Sequence, residues 1–466
     1  MMDQDINLTH RAQPLRNGKT RFIFYCALLV ALILRLAVSL PRDTETVYRG
    51  VGGGDEAWYL ANGYGFVSGE SYGYARGFSF EVKTQPGAVV YLILIGLPQM
   101  AFDDATAVRL IWVVQAVMGA GLCAFAYGIT RRLTQKEGMG LLAAWAIALH
   151  PSFILVSSYI LTETLFFFLA AGAIWLYIEK ISVPGVAAQP LRPLIAYSAL
   201  VGLICGAAVL TRAVFILFPL MLVLHLLWRG RTQWRRTWGL AAVLLLTYTA
   251  MTLTWTVFLW ANYGRFVIAS TQFMPAVWRG VVETDTTPQA MDAALQADCE
   301  EQCAQGATSQ VYTGQVADAV QADLKGVLLR RVREWFDAVV NPYPAAEVGG
   351  ESLRTLVVAW VQQDRSLTGL LRLVQGDNFV LKMLFYLFHY TGIVFGLMGL
   401  WRTRRNGAVT PILVGFLLYT YGIHIVLLAI PRYIFPSQLY WWCAAAAGLW
   451  GLAARPQLTR EDENAD

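Results

Sequence analysis

The adjacent carboxylates Asp55 and Glu56 are the residues most suited to chemistry in this chain. They lie in Gly52-Gly53-Gly54-Asp55-Glu56-Ala57-Trp58-Tyr59, just after the first long apolar stretch. A glycine run lets the backbone approach a ligand closely, and a carboxylate at the mouth of a membrane helix can accept a proton or hold a cation. Neighbouring residues on a helix point about 100° apart, so the two carboxylates are expected to play different roles. Capping of helix N–H groups by Asp55 is the plain alternative. Lys83, Glu163, Arg212, Arg265 and Arg432 are further charged residues set beside apolar segments. Whether they act together depends on the elements that carry them.

Of the 466 residues, 56% are hydrophobic and only 14% charged, too apolar for a soluble globular domain of this length. Long apolar runs recur from Phe22 to Trp450, so the fold class is an all-α polytopic membrane protein. The net charge of +5 is spread over short loops. It reads as the positive-inside signal, and with no long basic run no nucleic-acid partner is expected. Arg11, Arg16, Lys19 and Arg21 precede the run from Phe22, and no small-x-small cleavage site follows. This is the pattern of an uncleaved first helix with its basic end in the cytoplasm. Arg35 falls near the outer end of that helix and is expected to snorkel to the interface. Cys26, Cys123, Cys205 and Cys443 lie in apolar stretches and read as small core residues. Cys299 and Cys303 lie in a polar segment; if it is outside the membrane, a local disulfide is plausible.

Apolar segments fall near 22–40, 86–100, 106–130, 138–157, 160–180, 193–210, 212–229, 237–261, 376–400, 408–430 and 434–454, with polar stretches at 42–85 and 262–375. The basic N-terminus places 42–85 outside, and Arg229, Arg231, Arg235 and Arg236 inside place 262–375 outside as well. Two outside stretches need an even number of crossings between them. The segment 86–100, short and bracketed by Pro86 and Pro98, is therefore expected not to cross. The expected arrangement is about ten spans with both termini cytoplasmic. Its parts are a tail 1–21, an N-terminal membrane module 22–261 with an outer loop 42–105 carrying interfacial helices, a large outer loop 262–375, C-terminal helices 376–454, and a tail 455–466. This topology gathers Asp55, Glu56, Lys83, Glu163, Arg212 and Arg432 at the outer face. Such a face suits a phosphate-bearing lipid whose head group is held while it is attacked.

Several short motifs then carry a resemblance. Gly54-Asp55-Glu56-Ala57-Trp58-Tyr59, Lys83-Thr84-Gln85-Pro86-Gly87 with Tyr91, Leu161-Thr162-Glu163-Thr164-Leu165, Leu210-Thr211-Arg212, Asn262-Tyr263-Gly264-Arg265-Phe266-Val267 and Pro431-Arg432-Tyr433 occur in this order. Together the sequence resembles polyprenyl-phosphate-sugar-dependent glycosyltransferases of the multispanning C-type membrane fold. Protein O-mannosyltransferases, lipid A aminoarabinose transferases and rhizobial galacturonosyltransferases belong to that group. The resemblance weakens between about 281 and 375.

The resemblance implies inverting transfer of a hexosyl or pentosyl group. The sugar would leave a polyprenyl phosphate for an acceptor hydroxyl on a glycan, glycolipid or protein, on the periplasmic side of a bacterial inner membrane. Asp55 is then the candidate general base, with Glu56 assisting or binding acceptor or cation. Lys83, Arg212 and Arg432 are candidates for the donor's lipid phosphate, with snorkelling as their plain alternative. Trp58, Tyr59, Glu163 and Arg265 are candidates for sugar or acceptor binding, the aromatic rings as stacking faces. No cofactor is certain; a divalent cation, Mg or Mn, held by Asp55 and Glu163 is left open. His150-Pro151 reads as a helix-end feature, and His389 and His424 as hydrogen-bonded bundle histidines. An O-antigen ligase or polysaccharide polymerase is the competing enzyme, although the 262–375 stretch contains no His. A lipid-linked-sugar transporter or flippase is the non-enzyme alternative, although no internal repeat is visible.

Overall fold

The computed structural model describes residues 18–49, 55–69, 74–75, 78–79, 88–183, 185–187, 189–263, 266, 268, 273–282, 308–345, 348–349, 353–375 and 378–453. Lys83, Arg265, Cys299 and Cys303, all singled out above, lie outside the described residues.

The described chain is helical apart from a two-residue antiparallel hairpin, Tyr74–Ala75 with Phe78–Ser79. Nineteen α-helices are labelled in order. They are α1 (Gly18–Ser39), α2 (Thr44–Arg49), α3 (Asp55–Ser68), α4 (Val89–Ala101), α5 (Asp104–Thr134), α6 (Glu137–Leu149), α7 (Pro151–Val156), α8 (Thr162–Tyr177) and α9 (Leu191–Val209). Next come α10 (Phe218–Arg229), α11 (Trp234–Tyr263), α12 (Phe273–Val281), α13 (Thr308–Val340), α14 (Leu353–Gln363) and α15 (Leu367–Val374). The last four are α16 (Phe379–Arg402), α17 (Thr410–Val426), α18 (Pro431–Ile434) and α19 (Ser437–Ala453). Among the described residues, six helical stretches are long and apolar enough to cross a membrane: Gly18–Ser39, Asp104–Thr134, Thr162–Ser182, Leu191–Val209, Arg231–Ala261 and Phe379–Arg402. Four apolar stretches are shorter: Val89–Ala101, Glu137–Leu149, Ala213–Arg229 and Thr410–Val426. The weak 86–100 segment yields the 13-residue α4. At 1.5 Å per residue that is roughly 20 Å, against a hydrocarbon core of about 30 Å.

Small residues let the long helices approach. Water drives no helix association inside a bilayer, so close van der Waals packing must do so. Gly392, Gly396 and Gly399 share a face of α16, and a Cβ on Gly399 would collide with the Ala444 backbone of α19. Ala27 and Ala31 of α1 are fully buried in the same core as Ala120, Cys123 and Ala126 of α5. Arg35 is also fully buried rather than snorkelling, which corrects the sequence expectation. Its guanidinium donates to the carbonyls of Ala31 (3.0 Å) and Ile147 (3.3 Å), and Gly119 of α5 leaves the space it fills. A side chain that finds backbone acceptors inside the bundle has no need to reach the interface.

Candidate active site

The site is assembled from five chain segments. A second apolar cluster supports it, formed by Tyr59, Leu60, Tyr91, Leu92, Ile95, Ile111, Trp112, Ile160 and Leu161 among others. This cluster packs α3 and α4 against α5 and the turn before α8. Asp55 and Glu56 open α3, where ionised carboxylates favour the helix dipole.

The turn between α7 and α8 sets the position of Glu163. Three short backbone bonds shape it: Ser158 N–H to Leu155 O (2.9 Å), Tyr159 N–H to Val156 O (3.2 Å) and Leu161 N–H to Tyr159 O (2.9 Å). Gln115, buried in α5, donates to the carbonyls of Ser157 (3.1 Å) and Tyr159 (2.8 Å) and accepts from the Tyr91 hydroxyl (3.0 Å). By satisfying both carbonyls the amide ties the turn to α5. Leu161 is extended and Glu163 falls in the first turn of α8. Glu56 ties α3 to the same turn. Its carboxylate accepts from Arg42 Nη1 (3.0 Å), Arg42 Nη2 (2.7 Å) and the Ile160 N–H (2.7 Å). Arg42 also donates to the Ser158 carbonyl and lies over the rings of Trp112 and Tyr159, at 5.6 and 5.2 Å from their centroids.

Arg212 follows the end of α9, where its N–H bonds to Ala208 O (2.8 Å) before a short 3-10 turn. Arg432 sits in α18, reached from the C-terminus of α17. Arg331 of α13 holds that terminus. It donates to the carbonyls of His424 (3.2 Å), Ile425 (3.1 Å) and Leu427, while Nη1 bonds to Gly280 O (3.2 Å) and to Glu334. A cation on the last carbonyls of a helix both satisfies them and complements the dipole. The His424 ring donates from Nδ1 to Leu428 O (3.1 Å) and stacks on Tyr433 (5.6 Å between centroids, 23°). Tyr433 in turn lies under Arg212, 5.0 Å from the guanidinium carbon.

These elements bring four charges into one chain of contacts. Arg212 Nη1 donates to Glu163 Oε1 at 2.7 Å, Arg432 Nε donates to the same oxygen, and Arg432 Nη1 donates to Asp55 Oδ2 at 2.7 Å. Glu163 is fully buried, whereas the Asp55 side chain is 59% exposed. The inner end of the relay is therefore fixed and the outer end faces solvent. The second oxygen of Glu163, Oε2, is buried without a hydrogen-bond partner among the described residues. Burial alone would lower the proton affinity of Arg432, but Glu163 outweighs it and pushes it up, so this guanidinium stays charged. Tyr59 is buried, and burial followed by the charge of Glu163 pushes its phenol up. Its ring packs edge-on against Tyr91 (5.5 Å) and Trp58 (5.0 Å), so its surface goes into packing rather than towards solvent. His150 caps α7 by accepting the Ser152 N–H (3.2 Å). His389 bonds to Val339 O (2.8 Å) and Gln438 (2.9 Å), a hydrogen-bonded bundle histidine.

The donor set does not match a divalent ion. Asp55 Oδ2 and Glu163 Oε1 both face Arg432, a guanidinium lying between the two carboxylates that a metal would need to bridge. Glu56 is turned towards Arg42. Among the described residues no group of three His, Cys, Asp or Glu side chains comes together.

Asp55, Glu163, Arg212 and Arg432, separated by up to 377 positions, are thus joined, while Glu56 is held just beside them. Sequence reasoning missed Arg42, Gln115 and Arg331. Arg42 carried a signal: a cation just beyond the outer end of the first span runs against the positive-inside rule. Gln115 carried another, a carboxamide within an apolar run. Arg331 carried none, standing among Arg330, Arg333 and Glu334 in a charged segment.

No family profile matches this sequence, and no curated protein sequence matches it. Solved structures do. The Archaeoglobus fulgidus oligosaccharyltransferase in its apo form matches with a TM-score of 0.55 at 14% identity, over 96% of this chain and 52% of that one. The archaeal oligosaccharyltransferase AglB from Archaeoglobus fulgidus, in complex with an inhibitory peptide and a dolichol-phosphate, matches with a TM-score of 0.54 at 15% identity, over 93% and 50%. The Archaeoglobus fulgidus oligosaccharyltransferase in complex with Zn and sulfate matches with a TM-score of 0.52 at 16% identity. The chain spans about half the length of these proteins. The likeness establishes a fold shared with these oligosaccharyltransferases.

Proposed function

We propose that this protein is an inverting glycosyltransferase. It moves a sugar from a polyprenyl-phosphate donor to an acceptor hydroxyl at the periplasmic face of a bacterial inner membrane. The observation that carries this reading is the relay Asp55–Arg432–Glu163–Arg212, set in a fold shared with enzymes one of which binds a dolichol-phosphate. Ten crossings with both termini cytoplasmic, and the divisions at 21, 261, 375 and 454, are part of the same reading.

In the proposed reaction Asp55 takes the proton of the acceptor hydroxyl. The acceptor oxygen bonds to the anomeric carbon from the face opposite the phosphate, and the carbon–oxygen bond to the phosphate breaks. The electron pair of that bond leaves with the lipid phosphate. Arg432 and Arg212 stabilise the developing charge, and Glu163 holds both guanidinium groups at fixed positions. Because the fully buried Glu163 already holds both guanidinium groups, little reorganisation is left for the moment of reaction. Glu56 and Arg42 act as a positioning pair: they fix the start of α3, and so Asp55, against the turn that carries Glu163. Lys83 and Arg265 remain candidates for the donor and sugar, and Trp58 for the acceptor. No step is assigned to a metal, since the carboxylates are bridged by Arg432.

The test is mass spectrometry of envelope glycolipids and glycans from cells carrying the wild type, a deletion, or Asp55→Asn at matched membrane abundance. Loss of the same sugar-sized mass from one glycan in both altered strains supports the reading. An Asp55→Asn strain that keeps the mass while the deletion loses it removes Asp55 as the base.

A further inference from the structure

Arg432 has a second face. Besides meeting Asp55 and Glu163 it lines a cavity of about 810 Å³ formed by α13, the 341–345 turn, α14, α16 and α18. That volume lies in the usual range for small-ligand sites. Arg333 and Asp337, four residues apart, share one face of α13, and Asn341 follows just past its end, so the three line one wall of the cavity. Arg354 of α14 enters from the facing wall, together with Gln362. Arg354 is oriented by Asp337 at 2.5 Å, and Arg333 has no ion-pair partner among the described residues. Among the described residues that line the cavity, three carry guanidinium groups and one a carboxylate, with the carboxamides of Asn341, Gln362 and Gln363 beside them. One lipid phosphate beside Asp55 is served by Arg432 and Arg212. Arg333 and Arg354 sit on two other helices and are left over from that task.

We propose that the cavity is a second anion subsite, which takes an acidic saccharide: a sugar bearing a carboxylate or a phosphate, held by Arg333 and Arg354 apart from the donor's own phosphate. The planar fork of arginine matches both anions, and the carboxamides match neighbouring hydroxyls. The inference rests on the transferase reading for its place in the reaction. The acidic sugar is either the acceptor or the group transferred, and the chemistry of recognition is the same for both.

The test uses the full chain in nanodiscs and follows thermal unfolding with added sodium glucuronate, glucose, or a polyprenyl phosphate at equal ionic strength. Glucuronate should stabilise the wild type and glucose should not, and the glucuronate and polyprenyl-phosphate shifts should add. Arg333→Gln and Arg354→Gln should each weaken glucuronate binding about tenfold, the scale of one hydrogen-bonded charge pair, and leave the polyprenyl-phosphate shift intact. That retained shift also shows that the variants are folded. Arg333→Lys should keep part of the glucuronate affinity. Equal shifts with glucose, unchanged glucuronate affinity in the variants, or loss of the polyprenyl-phosphate shift would each overturn the proposal. Asp55→Asn should still bind glucuronate. If the wild type binds glucuronate while deletion cells keep every envelope glycan unchanged, the transferase reading fails and the saccharide site stands. The envelope mass lost on deletion separates the two sources. Loss of an acidic residue identifies the transferred sugar, loss of a neutral residue from an acidic glycan identifies the acceptor, and loss of a neutral residue from a neutral glycan contradicts the proposal.

Discussion

Replacing Arg432 by lysine separates charge from geometry. Arg432 uses two different nitrogens, Nε towards Glu163 and Nη1 towards Asp55. A lysine keeps the positive charge but offers a single nitrogen, so it cannot span both carboxylates in the same way. Glu163 is fully buried and Asp55 largely exposed, so the ammonium should stay with Glu163 and release Asp55. One charge-assisted hydrogen bond is worth about 1.5–3 kcal/mol, and solvent around Asp55 puts this one near the lower end. At about 1.4 kcal/mol per decade, transfer should slow roughly tenfold. Arg432→Gln also takes one positive partner away from the buried Glu163 carboxylate, a loss of about 3 kcal/mol at the low end because Arg212 still pairs with Glu163. That corresponds to a slowing of more than about 100-fold. The assay is the rate at which the missing envelope mass reappears after the gene is induced in deletion cells, with membrane abundance matched. A lysine variant as fast as wild type would refute the bridging argument. A lysine variant as slow as the glutamine variant would refute the charge argument.

Three further outcomes follow from the same geometry. Glu56→Gln loses the charge that holds Arg42 and should lower both product formation and thermal stability by about 2 kcal/mol, read as an earlier melting transition in detergent. If activity falls with no change in melting, Glu56 takes part in the chemistry rather than in positioning. Gln115→Leu leaves the carbonyls of Ser157 and Tyr159 unsatisfied at about 1–3 kcal/mol each, and melting should report it; a neutral result would mean that the turn is held by other contacts. Washing membranes with EDTA should leave the transfer rate unchanged, and a loss restored by Mg or Mn would show that the carboxylates bind a cation after Arg432 moves away.

The membrane class and the grouping of Asp55, Glu163, Arg212 and Arg432 were legible because they follow from period, composition and loop charge. Glu163, Arg212 and Arg432 each stand at the end of an apolar segment, where a charge is costly unless partnered, and that cost marked them; Asp55 was marked by its place behind a glycine run. Their partners were not legible. Whether Arg432 meets Asp55 or a phosphate depends on how α18 lies against α3, which its packing on α13 and α17 sets rather than any local motif. Arg35 shows the limit most plainly: its position on α1 gave snorkelling as the default, and only the space left by Gly119 of α5 explains its burial. Glu56 stood beside Asp55 in sequence, but the Ile160 N–H and Arg42 give it a different task, as the angle between neighbours on a helix suggested.

The central claim, that Asp55 drives transfer from a lipid-linked sugar, is tested most directly by measuring donor and product in the same cells. Lipid extracts and envelope glycans from wild-type, deletion and Asp55→Asn strains are quantified together by mass spectrometry, with protein abundance matched. The account predicts that the polyprenyl-phosphate sugar accumulates and the same glycan loses one sugar residue in both altered strains. Wild-type levels of donor and product in the Asp55→Asn strain, with the deletion strain altered, would contradict it.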